Sequence, residues 1–76
     1  MGIRWQDHIE ERKDVMVSKP VLIEISLTID HLLMEMGAGM TDGELLENYP
    51  TLRPEHIRAT LLYAAAVVAM DQTIYV

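Results

Sequence analysis

Seventy-six residues with a mass of 8.7 kDa make a single small unit, because so short a chain cannot bury two separate cores. Twelve acidic side chains against six basic ones leave a net charge of −6, which excludes a strong basic field over the whole surface and confines any nucleic-acid contact to a local patch. Half of the residues are hydrophobic, only 5% are aromatic and none is cysteine, so the chain folds around aliphatic side chains and has neither a disulfide framework nor a thiolate zinc site.

Between Trp5 and Asp14 the chain is polar, with Trp5 and Ile9 as its apolar anchors. A short helix and an arm with one strand around Ile9 both fit it. Further on, Val21, Ile23, Ile25 and Leu27 alternate with Leu22, Glu24 and Ser26, a period of two that predicts a strand. Pro20 opens it where a missing N–H costs least, and Lys19 is pushed toward extended geometry. Such a ribbon needs a partner: the Ile9 segment, Val15 to Val17, or its own copy in a second chain.

The first helix is predicted from Thr28, with Ile29, Leu32, Leu33 and Met36 as one core-facing stripe and Gly37-Ala38-Gly39 as its end. Thr41-Asp42-Gly43-Glu44 matches a capping box and starts a second, short helix that turns Leu45, Leu46 and Tyr49 inward and stops before Pro50. A third begins at Pro54, whose fixed φ suits a first helical position, with Ile57, Leu61, Ala64 and Val68 predicted inward and an end near Asp71. The short connector between the last two helices resembles a helix-turn-helix. The expected architecture is mainly α: residues 1–27 form an N-terminal arm and β-ribbon, and residues 28–76 form the three-helix part of one structural unit.

No catalytic constellation stands out. Ser18 and Ser26 lack a glycine elbow, and His8, His31 and His56 fall on three separate segments. His31 and Glu35, four apart, read as a solvated pair rather than a metal centre. The expectation is a protein that is not an enzyme, with no cofactor, no metal and no small-molecule substrate.

Two surfaces carry the functional expectations. Arg53, His56, Thr60 and Tyr63 share one helical face, away from the Ile57 and Leu61 stripe, near a helix N-terminus that favours anions. With Arg58, and Lys19 from the ribbon, Arg53, His56 and Thr60 are the candidate DNA contacts. The run from Leu61 to Met70 is apolar on every face, which implies burial all round and more covering than one small chain supplies. Leu62, Tyr63, Val67 and Met70, with Val21, Ile23 and Ile25 of the ribbon, are therefore candidate protein contacts. A homodimer is the default for a chain this small without covalent or metal staples. That apolar run is ten residues, about half of what crosses a bilayer. No charged-then-apolar leader opens the chain, so a cytoplasmic protein without membrane contact is expected.

WQDHI at the start, DVMVSKPVL into the ribbon, and GAGMTDGELLENYPTLRPEHIRATLLYAA resemble the domain-of-unknown-function family 433. Its members read W-x-x-H-I, then G-K-P-V-I-x-G-T-R-I, then Y-P-x-L-T-P-E-D-I-R-A. The resemblance implies a homeodomain-like three-helix fold with an N-terminal β-ribbon, usually dimeric. It also implies a VapB-like antitoxin of a type II toxin-antitoxin pair, with a PIN-like ribonuclease toxin as partner and autorepression at its own promoter DNA. The alternative is a protein-interaction module on the same fold that has lost DNA binding.

This chain departs from the pattern where it bears on those expectations. Glu24-Ile25-Ser26 stand in place of Gly-Thr-Arg, removing a turn-friendly glycine and a cation, and Val17-Ser18 replace x-Gly before Lys-Pro, which predicts a ribbon straighter than in relatives. Arg53-Pro54-Glu55-His56 replaces Thr-Pro-Glu-Asp, exchanging a good N-cap for titratable groups at a cost of ~1 kcal/mol and hinting at an anion contact.

Overall fold

A computed structural model describes residues 2–13 and 18–71. A 3-10 turn at Trp5–Asp7 precedes three strands, β1 (Ile9–Lys13), β2 (Ser18–Leu22) and β3 (Leu27–Thr28), and three helices, α1 (Ile29–Gly37), α2 (Asp42–Asn48) and α3 (Pro54–Asp71). The strands form one antiparallel sheet in the order β1-β2-β3. Three helices behind a small N-terminal sheet agree with the expected outline, and the ribbon does pair with the Ile9 segment, Ile9 opposite Leu22 and Glu11 opposite Pro20. Val15 to Val17 and the tail Gln72 to Val76 lie outside the described residues.

The ribbon itself differs from the expected strand. The chain leaves the sheet at Leu22, turns through Ile23 to Ser26, and re-enters as β3 with Leu27 opposite Leu22. The Ser26 amide donates to the Leu22 carbonyl at 2.8 Å, and Ser26 adopts a φ of +55°. So the ribbon is a tight hairpin rather than one strand running from Val21 to Leu27. Holding a residue with a Cβ in this left-handed region costs on the order of 1–2 kcal/mol. The alternation misled because Val21 and Leu22, on opposite faces, are both buried. Val21, expected at an interface, belongs to the interior.

Pro20 is accommodated by register. The Ile23 amide donates to the His8 carbonyl, so hydrogen-bonded pairs alternate in a way that leaves Glu11 and Pro20 as a non-bonded pair. The Pro20 nitrogen then points to the side of β2 where β3, which pairs only with Val21 and Leu22, no longer reaches.

α1 buries Ile29 and Leu32 and half-buries Leu33 and Met36, as its period requires. It ends on Gly39, whose φ of +106° is open to glycine and strained for other residues. The capping box at α2 forms completely: the Glu44 amide donates to Thr41 Oγ1 at 3.2 Å and the Thr41 amide to Glu44 Oε1 at 2.8 Å. Leu45 of α2 and Leu52 of the following turn join Ile9, Leu22, Ile29, Leu32, Ile57 and Ala59 in one core.

α3 presents a different face from the expected one. His56, Ile57, Ala59 and Thr60 are buried, while Leu61 and Val68, predicted inward, are 50% and 55% exposed. The N-terminal arm is the reason. Trp5 folds back onto the middle of α3 and meets Tyr63 edge-on, ring centroids 4.9 Å apart, so the helix is rotated to set His56, Thr60 and Tyr63 against the body.

Candidate functional site

At the start of α3, three segments converge on one carboxylate. His8 follows the 3-10 turn, Glu24 sits in the hairpin between β2 and β3, and His56 is the third residue of α3. The Arg53 amide donates to His56 Nδ1 at 2.9 Å, the arrangement in which the third residue of a helix normally accepts from the cap amide through Glu or Gln. Because Nδ1 accepts, the ring proton lies on Nε2, which donates to Glu24 Oε1 at 2.6 Å. A buried histidine thus has both nitrogens matched while uncharged.

His8 is the unmatched member. Its Nδ1 is buried without a hydrogen-bond partner among the described residues and lies 3.8 Å from the same Glu24 oxygen. The two imidazoles meet edge to face with centroids 5.7 Å apart. The Arg53 guanidinium stands 3.7 Å from the second Glu24 oxygen and 3.2 Å from Glu55. The hydrogen bond from His56 is the main influence on the Glu24 carboxyl and holds it below the usual carboxylate range, with partial desolvation acting against it. An open groove bordered by Pro50, Thr51 and Arg53 gives solvent access to Glu24, with the buried His56 at its floor.

Both Glu24 and His56 are departures from the pattern described above, and they meet each other. The anion contact inferred from His56 is therefore corrected: the ring faces inward, caps the helix and donates to Glu24. His8, Glu24 and His56 went unrecognised as a group because 16 and 32 residues separate them. The available signal was the pairing of two departures, one adding an acid and the other a histidine.

The candidate DNA residues divide. His56 and Thr60 are 1% and 0% exposed, and the Thr60 hydroxyl donates to the His56 carbonyl at 2.9 Å, so the supposed polar outer face is an inner one. Lys19, Arg53 and Arg58 are exposed. Lys19 lies 3.4 Å from Asp30 and Arg53 is held by Glu24 and Glu55, while Arg58 makes no ion pair with the other described residues.

Among the candidate protein contacts, Leu62, Val67 and Met70 are 43%, 38% and 75% exposed, Ile23 is exposed, and Tyr63 and Ile25 are half-buried. Leu61 and Val68 add to this surface. The second half of α3 thus leaves several large apolar side chains exposed, flanked by a shallow groove between Leu33 of α1 and Ala64, Val67 and Val68 of α3. His31 and Glu35 lie 3.5 Å apart, joined by Tyr49, whose hydroxyl donates to Glu35 at 2.7 Å and lies 3.1 Å from His31. This set ties α1 to the end of α2. Among the described residues no helix is long and apolar enough to cross a membrane.

Searches of curated proteins and of solved structures return no match. One family model, described as "Protein of unknown function (DUF433)", matches residues 9–64, a span that takes in the sheet, α1, α2, the converging carboxylate and the first half of α3. On that match the chain belongs to the DUF433 family.

Proposed function

We propose that this protein is an antitoxin-like regulator of the cytoplasm that acts by occupancy rather than catalysis, docking a PIN-like ribonuclease toxin and working as a homodimer. The observation that carries the reading is the apolar second half of α3, where Leu61, Leu62, Val67, Val68 and Met70 are all 38–75% exposed. Side chains of this size are not left wet in a row without a partner. The stretch from Ala59 to Met70 also holds no charge, so two chains of net charge −6 can meet there without opposing carboxylates. The connector from Tyr49 to Arg53 between α2 and α3 supports a helix-turn-helix, and with it the homeodomain-like, VapB-like class.

The decisive experiment co-expresses the protein with the product of the adjacent gene and compares ribonuclease activity of that partner alone and in complex. Inhibition that is lost on Leu62→Ser with Val68→Ser supports the reading; unchanged ribonuclease activity refutes it.

A second reading, an interaction module that no longer binds DNA, is favoured by the burial of His56 and Thr60 and by the carboxylates beside Lys19 and Arg53. A gel shift on the protein's own promoter at low salt separates the two. Retention that weakens on Arg58→Ala and flattens in salt dependence supports promoter binding; no retention leaves the interaction module.

A further inference from the structure

We propose that His8, Glu24 and His56 form a binding site for one divalent transition-metal ion, with zinc as the natural occupant. The ligand atoms, one from each residue, all lie within 4.8 Å of one another. Tetrahedral bonds of roughly 2.0–2.1 Å to nitrogen and oxygen set ligand atoms roughly 3.3 Å apart. The present separations of 3.8 Å from Glu24 to His8 and 2.6 Å from Glu24 to His56 bracket that value. Glu24, half exposed on a hairpin, is the member free to adjust.

The orphaned His8 Nδ1 gives the site its direction. A buried imidazole nitrogen without a partner is unfavourable, and a cation beside Glu24 supplies the partner it lacks. The groove at Pro50, Thr51 and Arg53 opens the fourth position to water. Arg53, now near Glu24, keeps Glu55 at 3.2 Å and so has an anion to fall back on when the metal takes its place.

Coordination through His56 Nε2 displaces the proton that now bonds Glu24. The ring must then carry that proton on Nδ1, where the Arg53 amide loses its acceptor and turns to solvent. Two hydrogen bonds, to Glu24 and from the Arg53 amide, are exchanged for three metal bonds, an exchange that favours ions with high affinity for imidazole, such as zinc, cobalt or nickel, over magnesium and calcium. The ion clamps the arm, the hairpin and the start of α3 together. It lies at the opposite end of α3 from the apolar surface and is independent of the docking reading.

The test uses untagged, chelator-treated full-length protein, with cobalt and zinc as probes. Cobalt should give saturable visible bands of a tetrahedral site at one equivalent, displaced by zinc. With free zinc near a hundred times its Kd, the melting midpoint should rise by roughly 10–20 °C. Both signals should vanish in His8→Ala and weaken strongly in Glu24→Gln, and persist in His31→Ala, which removes the other histidine-carboxylate pair. Circular dichroism in chelator shows that each variant is folded; if His8→Ala is not, Glu24→Gln decides. Absence of cobalt bands and of a midpoint shift in the native protein overturns the site, as do equal signals in native and Glu24→Gln proteins or loss in His31→Ala alone.

Discussion

Replacing His56 with alanine discriminates between a residue that reads DNA and one that holds the fold. The side chain is 1% exposed, accepts the Arg53 amide at 2.9 Å and donates to Glu24 at 2.6 Å. Losing a cap-type bond and the bond to Glu24 and leaving a ring-sized void together lower the unfolding free energy by about 2–4 kcal/mol in metal-free buffer. At 4–8 °C per kcal/mol for a chain of this size, the midpoint falls by roughly 10–30 °C. Thermal melts followed by circular dichroism, with urea titration as a second measure, read the effect. His56→Gln should recover part of it, since a glutamine oxygen can accept the Arg53 amide as in a capping box. A midpoint for His56→Ala within the range of an exposed change such as Arg58→Ala would refute the inward assignment.

Thr60→Val should leave the unfolding free energy within about 1 kcal/mol of native, because the two side chains have nearly the same shape and the His56 carbonyl retains its helical bond; a melt and a gel shift together check it, and lost promoter retention without lost stability would return Thr60 to the surface. Leu62→Ser with Val68→Ser should leave the monomer's melt at low concentration nearly unchanged and abolish self-association in sedimentation. Ser26→Gly should raise stability by up to about 1 kcal/mol by relieving the left-handed φ, and Ser26→Val should lower it, both read by urea titration. The Asp30 carboxyl lies below its usual range, first through the Thr28 hydroxyl and then through the Lys19 ammonium. A depressed carboxylate contributes stability that is present above its unfolded value and is lost as pH falls through the folded one. Asp30→Asn should therefore flatten the acid limb of a series of melts.

What was legible in the sequence was local. The capping box of Thr41 and Glu44, the stop at Gly39 and the start at Pro54 depend on neighbours a few residues away, and each stands where its chemistry puts it. The hairpin was not legible because Leu22 is buried on the face that alternation assigns to solvent, and Ser26 takes a conformation that its residue type does not announce. The orientation of α3 was not legible for a related reason. His56 and Thr60 look like surface residues, yet every polar atom they bury is satisfied within the same turn or by Glu24, so polarity ceased to report exposure. The converging carboxylate needs contacts across 16 and 32 residues, which only the folded arm and hairpin bring about.

The contact between Trp5 and Tyr63 has an experimental use. Trp5 is the sole indole in the chain, and its ring rests on Tyr63, which also borders the shallow groove beside α3. Its fluorescence is therefore a built-in gauge: emission reports on whether the arm stays seated, and quenching or blue shift on titration registers an occupant at the helix without any label.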